Sequence, residues 1–342
     1  SDRSVVETSV FGTGDPQRIA ALFERWTAEH LGSDVAQVDW YHASVGCTLG
    51  VGLRDGRAVA VKAHQPRFTP EYLRTMVAAQ QHLVRHWYPC PPPIGEPAQI
   101  GSTGSGTGWA TAALQRPDPG PLVRPDSVSA VAAFVRLALE FDASAHLGLG
   151  IEHLGALAPH PLQAIAPGSL YPHPYSPAFD YRVSADCEWI DDLARAARVL
   201  LDVDDGERVV THIDWSPRNV RGSQLGVSEV YDLDSLALLS EARAVGGAAV
   251  SWHLDDAVPG STLDVDDVAS FAWTYQRIRD RWFEDIEVRR MWASVLWNLA
   301  YLARCEDAVG EVRSATVTLR AHGDELMRRV TGSAERAERP SS

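Results

Sequence analysis

The chain has 342 residues, 45% of them hydrophobic, and a formal net charge of −14 from 31 basic and 45 acidic residues. That length suits two lobes around a cleft better than one compact layer, and the acidic balance disfavours nucleic acid while mildly favouring cationic partners. No apolar run approaches the roughly 18 residues of a membrane span, and the opening segment SDRSVVETSVFG lacks a signal-peptide core, so a cytoplasmic protein with no membrane partner is expected.

A helix is predicted over 15–31, with Asp15 as N-cap, Pro16 at its first position, Gly32 after its end, and Ile19, Leu22, Phe23 and Trp26 on one face. The pattern then changes to strands: VDWYHASV, a bend at Gly46, CTLGVGL, an Asp55-Gly56 turn, and RAVAVKAH. An Asp-Gly pair between alternating apolar residues is a strong hairpin signal, and it puts Lys62 on the third strand. Lys62 is the only lysine, the other 30 basic residues being arginine, and a planar guanidinium cannot copy a compact ammonium in a tight site. The run VAVK resembles the kinase V-A-I-K, whose lysine pairs with nucleotide phosphates, and the Gly46 bend would lie over those phosphates.

Thr69 and Pro70 open a second helix to about Trp87, with Leu73, Met76, Val77, Leu83 and Trp87 inward. A protein kinase carries a Glu on this helix to pair with the strand lysine; the inward face here carries Gln80, which could orient Lys62 through a neutral hydrogen bond or be an ordinary satisfied helix glutamine. A rigid Pro-rich connection follows, then two strands around a Gly-Ser turn, and LQRPDPGPLVRP breaks regular structure as the hinge between lobes. Backbone groups from Leu114 to Arg116 could receive an adenine edge there. Helices are predicted over 127–147, 186–203, 238–254, 263–283, 286–306 and 310–329, around a long irregular segment, 151–185, and before a disordered polar tail, 333–342. The domain reading is an N-terminal lobe over 1–114 and a catalytic, acceptor-binding lobe over 115–332. The cysteines at 47, 90, 187 and 305 form no C-x-x-C pair and read as core thiols.

The chemistry concentrates in VVTHIDWSPRNVRGSQLGVSEVYDLDSL, residues 209–236, which reads as strand, loop, strand, turn, strand. Its polar residues follow His212-x-Asp214-x-x-x-x-Asn219 and then Asp232, the kinase catalytic-loop pattern followed by a metal-binding Asp. Phosphoryl transfer needs one carboxylate against the attacking hydroxyl and oxygen ligands on a Mg²⁺ that bridges the phosphates. Asp214 fits the base, and Asn219 and Asp232 fit the metal ligands. Asp and Asn are also common turn residues, but Asn219 is one of only two asparagines, and it stands where the pattern requires one. A P-loop, a G-x-G-x-x-G, a G-x-S-x-G and an H-E-x-x-H are all absent from the sequence.

Taken with VAVK62, HWYPCP and HIDWSPRN to YDLD, the chain resembles the aminoglycoside phosphotransferase and choline kinase group of small-molecule kinases. Asp214, Pro217 and Asn219 match the family's usual HGDLHPGN stretch, whereas Ile213, Trp215, Ser216 and Arg218 depart from it. Asp232 falls on the family's metal-binding Asp, and Asp234 on the second acidic position often found two residues later. The resemblance implies an α+β, bilobal protein-kinase-like fold, with an antiparallel sheet in a small N-lobe and a larger, mainly helical C-lobe. It also implies ATP or GTP as donor, Mg²⁺, and a small-molecule hydroxyl acceptor.

Candidate acceptor contacts lie where acids and aromatics cluster: Asp234 beside Asp232, Trp215 beside the base, Glu188 with Trp189 and Asp191, and Trp252 with Asp255 and Asp256. Carboxylates with Trp faces suit a hydroxylated amine, although acids at 188–191 and 255–256 also fit helix N-termini, where they offset the helix dipole. The expected activity is phosphorylation of an aminoglycoside, amino sugar or amino alcohol. A kinase for a neutral sugar is an alternative, as is a degenerate nucleotide-binding protein on the same fold, which the glycine-poor loop and the missing helix carboxylate favour.

Overall fold

The computed structural model describes residues 2–104, 106–115, 124–141, 154–177, 179, 186–203, 206–223, 226–254 and 262–332. Two helices come first, α1 (Asp2–Phe11) and α2 (Pro16–Leu31). The Asp15 side chain accepts the Gln17 amide, Pro16 stands at the first helical position, and Gly32 closes α2 at φ 68°. The sequence reading gave α2 but not α1, whose Val6, Val10 and Phe11 are buried.

Strands β1 (Val35–Ala43), β2 (Cys47–Leu53), β3 (Ala58–His64), β4 (Pro93–Thr103) and β5 (Gly106–Leu114) form one antiparallel sheet in the order β1-β2-β3-β5-β4. Val59, Val61 and Ala63 of β3 join Val51, Ala110, Ala112 and the apolar faces of α1 and α2 in one core. The two-residue period of a strand therefore turns Lys62 to the opposite face, in register with Thr48 and Thr111.

Helix α3 (Pro70–Arg85) starts at the predicted cap, with Thr69 accepting the Tyr72 amide at 3.1 Å. It ends two residues before Trp87, which lies outside the helix at φ 60° and is 88% exposed; the expected inward Trp is thus corrected, because the chain has left the helical path by then. The apolar face of α3, with Tyr72, Leu73, Met76, Val77 and Leu83, belongs to the larger core of the second lobe rather than to the core of the sheet.

The second lobe contains α4 (Ser127–Glu140), a 3-10 turn at Leu154–Leu157, α5 (Glu188–Leu201), α6 (Glu241–His253), α7 (Val265–Arg279), α8 (Asp285–Ala308) and α9 (Ser314–Thr331). Two antiparallel strand pairs lie among them: β6 (Arg208–His212) with β9 (Leu236–Ser240), and β7 (Val220–Ser223) with β8 (Gly226–Val230). The predicted helix over 238–254 begins at Glu241, because Leu236 to Ser240 pair residue by residue with β6. Gly246 lets α6 approach α8 closely: a Cβ there would collide with the main-chain oxygen of Met291. Among the described residues no helix is long and apolar enough to cross a membrane.

Candidate active site

The catalytic-loop motif is shaped by its own backbone. Ser216 N–H donates to the Asp214 carbonyl at 2.9 Å and Asn219 N–H to the Ser216 carbonyl at 2.9 Å, so two tight turns return Asn219 to Asp214. There the Asn219 amide donates to the Asp214 carboxylate (Oδ2, 2.9 Å) and carbonyl (3.0 Å). The next link joins this loop to the acidic one: Tyr231 N–H donates to the Asn219 carbonyl at 2.8 Å, and Ile213 N–H to the Ser235 carbonyl at 2.9 Å. Buried His212 reaches the Tyr231 carbonyl at 2.9 Å and so holds the same junction from inside. Asp232 itself is left-handed (φ 61°, ψ 43°), a conformation that Asp tolerates better than most side chains and that turns the chain into the 3-10 turn Leu233–Ser235.

Lys62 crosses from β3 to this acidic turn. Its ammonium donates to Asp232 Oδ1 and to Asp234 Oδ1, the latter at 2.7 Å. The Lys62 side chain is 20% exposed, Asp232 31% and Asp234 8%. Burial works to lower the Lys62 pKa, but the Asp232 and Asp234 carboxylates outweigh it and raise it above the ordinary ammonium range. Burial alone would raise Asp234; Lys62 and His64 overcome this and hold its carboxyl well below the usual range. Desolvation and the neighbouring Asp234 push Asp232 up against the pull of Lys62, with a further push from Asp214.

Asp234 was expected beside the acceptor, and the structure instead makes it a partner of Lys62. The partner that a helix carboxylate would supply comes from the acidic turn. Three residues not singled out in the sequence complete its setting. His64 Nδ1 lies 3.4 Å from Asp234 Oδ2, with Nε2 2.9 Å from the Thr111 hydroxyl. The Tyr72 hydroxyl shares its proton between the carbonyls of Asp234 (2.7 Å) and Leu236 (2.8 Å). His160 Nδ1 accepts the Leu162 amide at 3.0 Å, which leaves Nε2–H to donate to the Asp234 carbonyl at 2.8 Å. The tyrosine in the first turn of α3 was the one visible signal for this arrangement.

Other expected site residues lie elsewhere. Gln80 is buried and donates to the Pro91 carbonyl at 2.7 Å, so it holds the Pro-rich connection and does not orient Lys62. Trp215 is fully buried against Phe134 and His212, and Trp252 is buried with the Arg124 guanidinium 5.3 Å above its ring; neither offers a face to an acceptor. Asp191 is taken by Tyr171 (2.9 Å) and Arg304 (3.2 Å) in the first turn of α5. Leu114 N–H donates to the Pro92 carbonyl and Gln115 N–H to the Ala58 carbonyl, both at 2.8 Å, so these amides tie the end of β5 to its neighbours on either side and are not available to an adenine. Arg116 and Asp255, with Asp256, lie outside the described residues. Gly46 stands at the β1–β2 bend, where a Cβ would lie 2.6 Å from the Ala63 carbonyl, and the neighbouring Val45 carbonyl accepts from Gln65; glycine brings the bend down beside Lys62. A cavity of about 840 Å³ opens between the start of α3 and residues 155–179, and of the groups above only Tyr72 lines it.

No protein-family model matches the sequence, and comparison with curated proteins finds no match. Comparison of structures does. An amicoumacin kinase in complex with AMP-PNP and Ca²⁺ superposes with a TM-score of 0.59 at 10% identity, covering 94% of this chain and 97% of that one. A microcompartment-associated aminopropanol kinase gives 0.57 at 12% identity over 92% and 95%, and a Plasmodium vivax ethanolamine kinase 0.51 at 10% over 98% and 93%. The chain therefore has, over nearly its whole length, the bilobal protein-kinase-like fold that these small-molecule kinases share.

Proposed function

We propose that the protein is a small-molecule kinase that transfers the γ-phosphate of ATP or GTP to a hydroxyl of an amine-bearing acceptor. The observation that carries this reading is the convergence of Lys62, Asp214, Asn219 and Asp232 from a strand of one lobe and two linked loops of the other. The donor set suits Mg²⁺: Asp214, Asp232 and Asp234 set three carboxylates against one ammonium, and the Asn219 amide nitrogen is committed to Asp214, which leaves its oxygen as a ligand atom. Asp232 and Asn219 would hold the ion. Bound there, Mg²⁺ supplies neutralisation of the phosphate charge as it shifts toward the leaving oxygen. Lys62 donates to phosphate oxygens and fixes the nucleotide against the sheet. Asp214, oriented by Asn219, accepts the acceptor's hydroxyl proton as the oxygen attacks phosphorus. The lysine is held by Asp234 without any helix carboxylate, which removes one of the two reasons to read the site as degenerate.

What supports the amine is the overall charge of −14, together with structural neighbours that are kinases of amicoumacin, aminopropanol and ethanolamine. The test is turnover of Mg·ATP with paired acceptors that differ only by amine against hydroxyl. We expect the amine member to have the higher kcat/KM and a KM that rises with salt. Nucleotide binding with no transfer to any acceptor would overturn the kinase reading, and equal kcat/KM for the neutral member would overturn the amine.

A further inference from the structure

The C-terminal end of α3 meets the C-terminal end of α4. His82 and His86, one helical turn apart, place their rings 4.0 Å apart, and Glu140 reaches them from the last residue of α4. His86 Nδ1 lies 2.7 Å from Glu140 Oε2; His82 Nε2 lies 4.0 Å from the same oxygen and 3.1 Å from the Glu140 carbonyl. One ring nitrogen from each histidine and a Glu140 oxygen all fall within 4.8 Å of one another, and no other such group of three occurs among the described residues. We propose that His82, His86 and Glu140 form a binding site for a borderline divalent cation of the zinc type, separate from the Mg²⁺ of phosphoryl transfer.

Two imidazoles and a carboxylate are a donor set that Zn²⁺ takes readily and that Mg²⁺, which demands oxygen ligands, does not. The surroundings divide the carboxylate: Arg136 takes Oε1 at 3.3 Å and leaves Oε2 toward the histidines. Arg136 also donates to the His86 carbonyl at 2.5 Å, so the end of α3 is already drawn to α4. His82 is fully buried and its Nδ1 has no hydrogen-bond partner among the described residues, whereas His86 is 41% exposed and leaves an approach from solvent. The ion would tie the end of the helix that carries Tyr72 to the first helix of the second lobe.

The experiment uses the full chain, stripped of metal by a chelator and titrated with Zn²⁺ by calorimetry in excess Mg²⁺, with melting followed in parallel. We expect saturable one-to-one Zn²⁺ binding and a rise in Tm. Both should be lost in His86→Ala, at a 41% exposed side chain, and in the isosteric Glu140→Gln, and kept in Asp232→Ala. Melting of the metal-free variants near the parent's Tm separates loss of the site from loss of the fold. Zn²⁺ binding that persists in both variants, that disappears only in Asp232→Ala, or that never saturates at excess metal would overturn the proposal.

Discussion

At Asp234 a carboxylate that could be taken for a substrate contact is bonded to Lys62. Asp214 and Asp234 are therefore expected to fail differently. On the proposed mechanism Asp214→Asn removes the group that accepts the acceptor's proton, and should lower kcat by roughly 10²–10⁴-fold with little change in nucleotide affinity. Asp234→Asn leaves the base intact but loosens Lys62, and by analogy with residues that support a ligand from behind should cost about 10–100-fold, mainly in nucleotide KM. Steady-state kinetics with varied ATP separates the two, and an Asp234→Asn enzyme with unchanged nucleotide KM would contradict the assignment. Asp214, Asn219 and Asp232 were legible because their spacing lies within one continuous stretch. The partners of Asp234 were not, since His64, Tyr72 and His160 come from segments 74 or more residues away and share no period with it.

The elements that read well from sequence are those with local causes: α2 and α3 at their caps, the β2–β3 hairpin at its Asp-Gly turn, and the alternation that turns Lys62 away from the sheet's core. Those that read poorly depend on distant neighbours. Residues 238–240, expected at the start of a helix, continue the strand from Leu236 because β6 pairs with them residue by residue. The long irregular segment 151–185 had the length of a functional loop, and among its described residues His160 reaches the site, sealed under the acidic turn. That burial has a pH signature. The His160 pKa is lowered by burial from 6.5 to about 4, so between those values the unfolded chain binds a proton that the folded chain refuses. Stability is then complete above about pH 6.5 and falls as the pH drops toward 4, by up to about 3 kcal/mol for a shift of this size. Burial lowers His82 and His253 in the same direction, so a comparison isolates the effect: a His160→Gln variant should show a shallower fall in Tm across this window than the parent.

At the scale of the whole molecule, the two lobes were expected to divide near residue 114, and the cores divide the chain otherwise. The sheet and the first two helices share one apolar interior, whereas α3, which precedes β4 and β5 in sequence, is fused to the interior of the second lobe. Tyr72 adds two buried carbonyls to that attachment; the Asp234 carbonyl also has His160, but the Leu236 carbonyl would cost about 1–3 kcal/mol if left without a donor. A helix so anchored has no outward position to swing to, because leaving would strip the larger core of Leu73, Met76, Val77 and Leu83 together. Activity of the proposed kind would run on this frame without an on-off switch at this helix, and any opening to admit nucleotide would fall to the sheet and its β1–β2 bend. In hydrogen exchange the amides of α3 should open only with those of α8, at the free energy of global unfolding and equally with and without Mg·ATP, while β1 and β2 slow when nucleotide binds.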